Sequence, residues 1–96
     1  NKYGMYGISV CNKNEYLYYI GSKEKYGNTK EFIIPAGRYV IFSVNSRNQK
    51  DIVKTEKMIY TQWLQSTNYD IDDEFNFELY TSDNCYLYML IKDKQN

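Results

Sequence analysis

The sequence has 96 residues, enough for one domain, and its 43% hydrophobic and 25% charged residues are close to globular averages, which argues against a disordered or fibrous chain. Twelve Lys and Arg balance twelve Asp and Glu, so direct binding to nucleic-acid phosphates, which needs a basic excess, is disfavoured. No apolar run approaches the roughly 20 residues of a membrane span, and we expect a cytoplasmic protein without membrane association.

The first part of the chain predicts strands. Alternating residues with many aromatics indicate two strands near 3–10 and 15–22, joined as a hairpin. A short extended piece at 32–34 precedes turn residues at 35–37, and these lead into a third strand at 38–44.

The second part predicts one helix and a second hairpin. Residues 49–66 change to a helical period with an apolar stripe, and Asn48 is the expected N-cap. The polar residues 67–74 lack both periods and are interpreted as a loop. Two further strands follow at 75–80 and 86–92.

An internal match links the two hairpins. Residues 14–20 align without gaps with residues 84–90, and four of the seven are identical. The offset would give Tyr18 a place equivalent to that of Tyr88. A chance match stays open; otherwise the chain holds one complete βαββ unit over 38–92 and the hairpin of a second. The predicted fold class is α+β, an antiparallel sheet with a helix.

The residues available for chemistry are few. There is no histidine, and the two cysteines, Cys11 and Cys85, form no CxxC pair. Zinc sites of the usual kinds and Ser-His or Cys-His nucleophiles are therefore excluded. Nucleotide-binding glycine motifs are also absent from the sequence. We predict no metal and no cofactor, and the only plausible catalytic groups are carboxylates and tyrosines.

One carboxylate is predicted to share a sheet face with several of the twelve tyrosines. Alternation puts Glu78 beside Tyr80, and pairing the apolar sides of the second hairpin adds Tyr86 and Tyr88 to that face. Ring faces attract positive charge and a carboxylate supplies the counter-ion, so this arrangement suits an organic cation. The alternative is an ordinary exposed glutamate among solvated tyrosines.

Three helix residues carry open alternatives. Glu56 falls near the middle of the apolar stripe, so it is either a second pocket acid or a residue at the stripe edge paired with a lysine. Tyr60 and Trp63 face the core by position, and packing is their default role.

Four segments, in this order, resemble the GyrI-like family, also called the AraC-type effector-binding domain. They are Tyr18-Tyr19-Ile20-Gly21, Ile34-Pro35-Ala36-Gly37-Arg38-Tyr39-Val40-Ile41-Phe42, Ile59-Tyr60-Thr61-Gln62-Trp63-Leu64 and Phe77-Glu78-Leu79-Tyr80. Each motif alone is weak, but their shared order and spacing make the resemblance fairly specific.

The resemblance implies two βαββ units around a groove that binds a lipophilic, often cationic, effector. It puts Glu78 in the groove and implies aromatic ligand contacts from Tyr39, Tyr60, Trp63, Tyr80 and Tyr88. By comparison with the family, residues 1–96 form a single partial domain that lacks the opening strand and helix of the first unit.

The implied function is non-catalytic effector binding in a bacterial transcription regulator. DNA would be contacted only through a separate domain outside this chain, and an open sheet edge would favour a homodimer. The family leaves two alternatives: a hydrolase of small strained electrophiles, using Glu78 and a tyrosine, or a gyrase-inhibitor-like module that binds a protein.

Overall fold

The computed structural model describes residues 5–12, 15–21, 34 and 36–94, which form a five-stranded antiparallel sheet with helical segments on one face. The elements are β1 (Met5–Asn12), β2 (Glu15–Gly21), β3 (Tyr39–Ser43), α1 (Gln49–Met58), a π-helical turn (Ile59–Trp63), α2 (Leu64–Ser66), β4 (Tyr69–Tyr80) and β5 (Cys85–Asp93). The strand order is β2-β1-β4-β5-β3. The predicted α+β class is confirmed.

The complete βαββ unit is built from β3, α1, β4 and β5. The helical residues connect β3 to β4, and β5 pairs with both strands. The first hairpin, β1 and β2, joins this unit because β1 pairs with β4. The two hairpins therefore lie side by side, with β1 and β4 next to each other near the middle of the sheet.

The loop expected at 67–74 is wrong from Tyr69 onward, where β4 begins. The strand pairs with the end of β5, Asp70 lying opposite Lys92, and the register then shifts between Ile71 and Asn76. This irregularity breaks the alternation on which strand recognition depends. Ile71, which is buried, is the residue of this polar stretch that packs into the core.

The extended piece expected at 32–34 lies mostly outside the described residues, as does Pro35 in the turn. Ile34 is described and belongs to no strand, and β3 begins at Tyr39.

The helix begins where the sequence places it. Asn48 Oδ1 accepts a hydrogen bond from the backbone N–H of Lys50 at 2.9 Å, which confirms the N-cap. The apolar stripe buries Ile52 and Ile59 completely against the sheet. None of the described helices is long and apolar enough to cross a membrane.

The sheet has an apolar core on each face. The helix-side core contains Ile52, Ile59, Ile71, Cys85, Leu87 and Met89. The opposite-face cluster contains Ile8, Phe75 and Phe77, with Tyr39, Tyr88 and other partly buried residues packed on it. Because both faces of the central strands are apolar, alternation alone leaves the pairing of the two hairpin arms undecided.

Candidate ligand-binding site

Glu78 lies near the C-terminal end of β4, on the face that carries the helix. It pairs with Gly7 of β1 on one side and with Leu87 of β5 on the other. Its Oε1 accepts hydrogen bonds from the hydroxyls of Tyr18, at 3.0 Å, and Tyr80, at 3.2 Å. Two strands, β4 with Glu78 and Tyr80 and β2 with Tyr18, thus bring one carboxylate and two phenols together across β1.

The predicted set of tyrosines around Glu78 is wrong in its register. Glu78 lies opposite Leu87, whereas Tyr86 lies opposite Leu79 and Tyr88 opposite Phe77. Directly opposed residues share a face, so Tyr86 and Tyr88 lie on the other side of the sheet from Glu78. The prediction paired the apolar sides of the two hairpin arms because it assumed one core on one face. The sheet has a core on each face, so the apolar side of one arm can face the opposite way from that of the other.

The remaining predicted site residues are dispersed. Tyr39 and Tyr88 pack in the opposite-face cluster, where the Tyr88 ring stacks on Phe77 with centroids 4.4 Å apart. Trp63 packs edge-on against Phe42 in the helix-side core, with centroids 5.2 Å apart. Tyr60 is exposed on the π-helical turn. Of these predicted residues Tyr80 contacts Glu78, and a ligand-binding role stays a prediction for all six.

The glycine at position 7 makes room for the contact between Tyr18 and Glu78. A Cβ atom built on Gly7 would overlap the Tyr18 hydroxyl and would lie 2.9 Å from Glu78 Oε1. Tyr18, diagonal to Gly7 across the β1–β2 pair, extends over this position to reach the carboxylate. A side chain here would separate the two groups.

A cleft of about 240 Å³ opens beside these residues. Its lining residues come from β1, β2, β4 and the loop before α1: Met5, Tyr6, Gly7, Tyr18, Ile20, Arg47 and Tyr80. Ile20 is 73% exposed and Tyr18 56% exposed, so the cleft is open to solvent along β2. Glu78 does not line the cleft itself, but it accepts hydrogen bonds from Tyr18 and Tyr80, which do.

The two phenols are held as hydrogen-bond donors. Burial, together with the negative charge and hydrogen bond of Glu78, raises the pKa of Tyr18 to about 12. Burial and the charge of Glu78 raise the pKa of Tyr80 as well. Both hydroxyls therefore stay protonated at neutral pH and keep donating to the carboxylate.

Two further titratable groups lie within electrostatic range of Glu78. Burial, followed by the charge of Glu78, raises the pKa of Glu56 on α1. Burial and the same charge raise the pKa of the free Cys85 thiol to about 11. In the described part of the chain no lysine lies within salt-bridge distance of Glu56, and Glu56 does not line the cleft, so its role as a second pocket acid stays a prediction. No cluster of three potential metal ligands occurs among the described residues.

The sequence matches the model of a known protein family. The family model Cass2, an integron-associated effector binding protein, covers residues 1–91. This chain belongs to the Cass2 family. The family is GyrI-like and binds effectors, so the resemblance read from the four motifs is confirmed. No curated protein and no solved structure gave a match.

Three residues of the site are absent from the set of ligand contacts implied by the family motifs. Tyr18 was indicated only as an equivalent of Tyr88, although it lies on the other face and bonds Glu78 directly. Gly7 and Arg47 carried no local signal. Each is recognised only from the register of β1 against β4 or from the position of the loop before α1.

Proposed function

We propose that this chain binds a small lipophilic cation in the cleft beside Glu78. The observation that carries the proposal is the carboxylate hydrogen-bonded by Tyr18 and Tyr80, whose side chains also form the cleft wall. Tyrosine ring faces attract a cation, and the hydrogen bonds to Glu78 enrich these rings in negative charge. The effector-binding character of the Cass2 family supports the same assignment.

The size of the cleft limits the ligand. Pockets for drug-sized molecules typically measure roughly 300–1,000 Å³, and this cleft measures about 240 Å³. One aromatic ring with an ammonium group fits such a space, whereas a larger dye would project along the open side at Ile20. We therefore choose benzyltrimethylammonium as the probe and benzyl alcohol as the uncharged comparison.

The test is calorimetric titration of both probes into wild type and Glu78→Gln. A direct charge-assisted contact contributes about 1.5–3 kcal/mol, and Glu78 stands one hydrogen bond behind the wall. We expect the lower end of that range, a loss of about tenfold in affinity for the cation. Benzyl alcohol should bind both proteins equally.

Asp93→Asn provides the matched control, because it removes the same charge at the far end of β5, where Asp93 forms a salt bridge with exposed Arg38. It should leave cation affinity unchanged. Equal affinity of wild type and Glu78→Gln for benzyltrimethylammonium would refute the proposal. Equal losses of cation affinity in Glu78→Gln and Asp93→Asn would mean that only the net charge of the protein matters, and would also refute the proposal.

We further propose that the bound effector controls transcription, with DNA contacted by a domain other than the one described here. The motifs shared with the GyrI-like family support this role. Deleting the gene should abolish a transcriptional response to benzyltrimethylammonium. Re-expressing wild type should restore the response, and re-expressing Glu78→Gln should not. A response that survives the deletion would reject the regulatory role.

A further inference from the structure

A cationic side chain also lines the cleft. Arg47 lies in the loop between β3 and α1, and its guanidinium carbon is 5.8 Å from the centroid of the Tyr80 ring. The ring whose hydroxyl bonds Glu78 therefore already has a positive charge over its face. A ligand entering the cleft meets this charge as well as the carboxylate.

The backbone around Arg47 is fixed by a set of hydrogen bonds. Asn84 Oδ1 accepts from the N–H groups of Asn45, at 2.6 Å, and Ser46, at 3.2 Å. Ser46 Oγ accepts from the Asn48 N–H at 2.9 Å, and Asn48 caps α1. Bonds on both sides of Arg47 thus hold its Cα next to the cleft, so its presence there follows from the fold.

Arg47 differs from the other arginine that lies over a tyrosine. Arg38 is 5.3 Å from the centre of the Tyr69 ring and also forms a salt bridge with Asp93 at 3.3 Å. Within the described ranges no carboxylate forms a salt bridge with Arg47. Its planar set of N–H donors, which matches the two oxygens of a carboxylate, is available to a ligand.

The opposite charge lies close by. Both Glu78 and Arg47 act on the buried Cys85 thiol, Glu78 raising its pKa and Arg47 lowering it. Glu56 adds a second carboxylate to the negative side. The cleft is thus lined by a positive group from the loop before α1, and the negative group of Glu78 lies directly behind the two tyrosines of its wall.

From this charge arrangement we propose that the cleft selects zwitterionic aromatic ligands, with an ammonium group beside Tyr18, Tyr80 and Glu78 and a carboxylate bound by Arg47. The inference rests on the proposed function, since it assumes that the cleft binds a cation. A simple cation is repelled by Arg47, whereas a zwitterion turns the same charge into an attractive, charge-assisted contact. Arg47 is then a specificity-determining residue.

The experiment compares ligands that differ in one charge and one methyl group. The zwitterions are 3- and 4-carboxybenzyl trimethylammonium, two isomers that vary the separation of the charges, and the monocations are their methyl esters. Calorimetric titrations would use wild type, Arg47→Gln and Arg38→Gln. The last variant is the matched control, because Arg38 also lies over a tyrosine ring but lines no part of the cleft.

Wild type should bind the better zwitterion more tightly than its ester. Arg47→Gln should lower the affinity for the zwitterion by about tenfold to a hundredfold, the range of one charge-assisted contact. The same variant should raise the affinity for the ester by about two- to fivefold, as expected for removing a nearby like charge in partly screened surroundings. Arg38→Gln should change neither affinity.

Each outcome separates the two proposals. If the ester binds and Glu78→Gln weakens it while Arg47→Gln changes neither ligand, the zwitterion inference is overturned and the cation site stands. If Arg47→Gln and Arg38→Gln act alike, the effect is net charge and the inference is again overturned. If neither ligand binds wild type, the proposed cation site itself is rejected.

Discussion

The sheet face that carries the helix has a covered half and an open half. Over β3 and β5 the helix buries Leu87 and Met89, and Ile52 of the helix is itself fully buried. Over β2 the same face exposes Tyr18 and Ile20, the latter by 73%. Apolar side chains in equivalent orientations thus form a core in one half and a ligand-accessible surface in the other.

The candidate site lies at the boundary between these halves. Tyr80 packs against the helix-side core and also lines the cleft, while its hydroxyl bonds Glu78. Tyr18 reaches the same carboxylate from the open half. The Tyr80 side of the site is therefore held in place by packing, and the Tyr18 side is exposed to solvent. This combination suits a site that needs a defined geometry and access for a ligand.

The strongest test of this comparison is to truncate one isoleucine in each half. Ile52→Ala should lower the free energy of unfolding by about 2–5 kcal/mol, because it leaves a cavity in the core. Ile20→Ala should change it by no more than about 0.5 kcal/mol. Urea unfolding followed by the fluorescence of Trp63, the one tryptophan, measures both. Similar losses would mean that the β2 half is covered in solution.

A smaller effect is expected from a glycine at the boundary. Gly7→Ala should displace the Tyr18 hydroxyl from Glu78 and weaken benzyltrimethylammonium by about tenfold, the loss of one charge-assisted contact. Gly21→Ala is the matched control, because a Cβ there meets nothing within 4 Å. Calorimetric titrations measure this affinity. In a protein that already carries Tyr18→Ala, adding Gly7→Ala should cause little further loss of affinity. Full additivity of the two losses would show that Gly7 acts independently of Tyr18.

The fold was largely predictable because its signals are local. The strands, the helix and the Asn48 cap each depend on residues adjacent in the sequence. The exception is β4, whose first residues are polar and whose irregularity hides the alternation. Local patterns decide elements well and fail where pairing with a distant strand compensates for a weak pattern.

The site was predictable only in part, since it depends on register. Sequence reasoning identified Glu78 and Tyr80 because they are two positions apart on one strand. It misplaced Tyr86 and Tyr88 because a one-residue change of register moves a whole strand to the other face. Arg47 and Gly7 join through contacts across the sheet and from the loop before α1, which no local pattern encodes.

The smallest expected effect concerns Glu56, at the covered side of the boundary. Burial and the charge of Glu78 raise its pKa in the folded protein, so the folded state binds a proton more tightly than the unfolded state does. Its contribution to stability is therefore fully present below the unfolded pKa and is lost as pH rises through the folded pKa. The neighbouring Cys85 thiol, with a pKa of about 11, stays neutral throughout this window.

Replacing Glu56 with glutamine removes this titration while keeping the shape of the side chain. Near pH 4 the variant and wild type should be equally stable, and near pH 7.5 the variant should be more stable by about 0.5 kcal/mol, a typical value for a partly exposed position. Urea unfolding at both pH values measures the difference, and Asp93→Asn, at an exposed surface ion pair, should show no such gain. A variant less stable than wild type at pH 7.5 would mean that the ionised Glu56 is stabilised by a partner, and that the two carboxylates do not repel each other across the boundary.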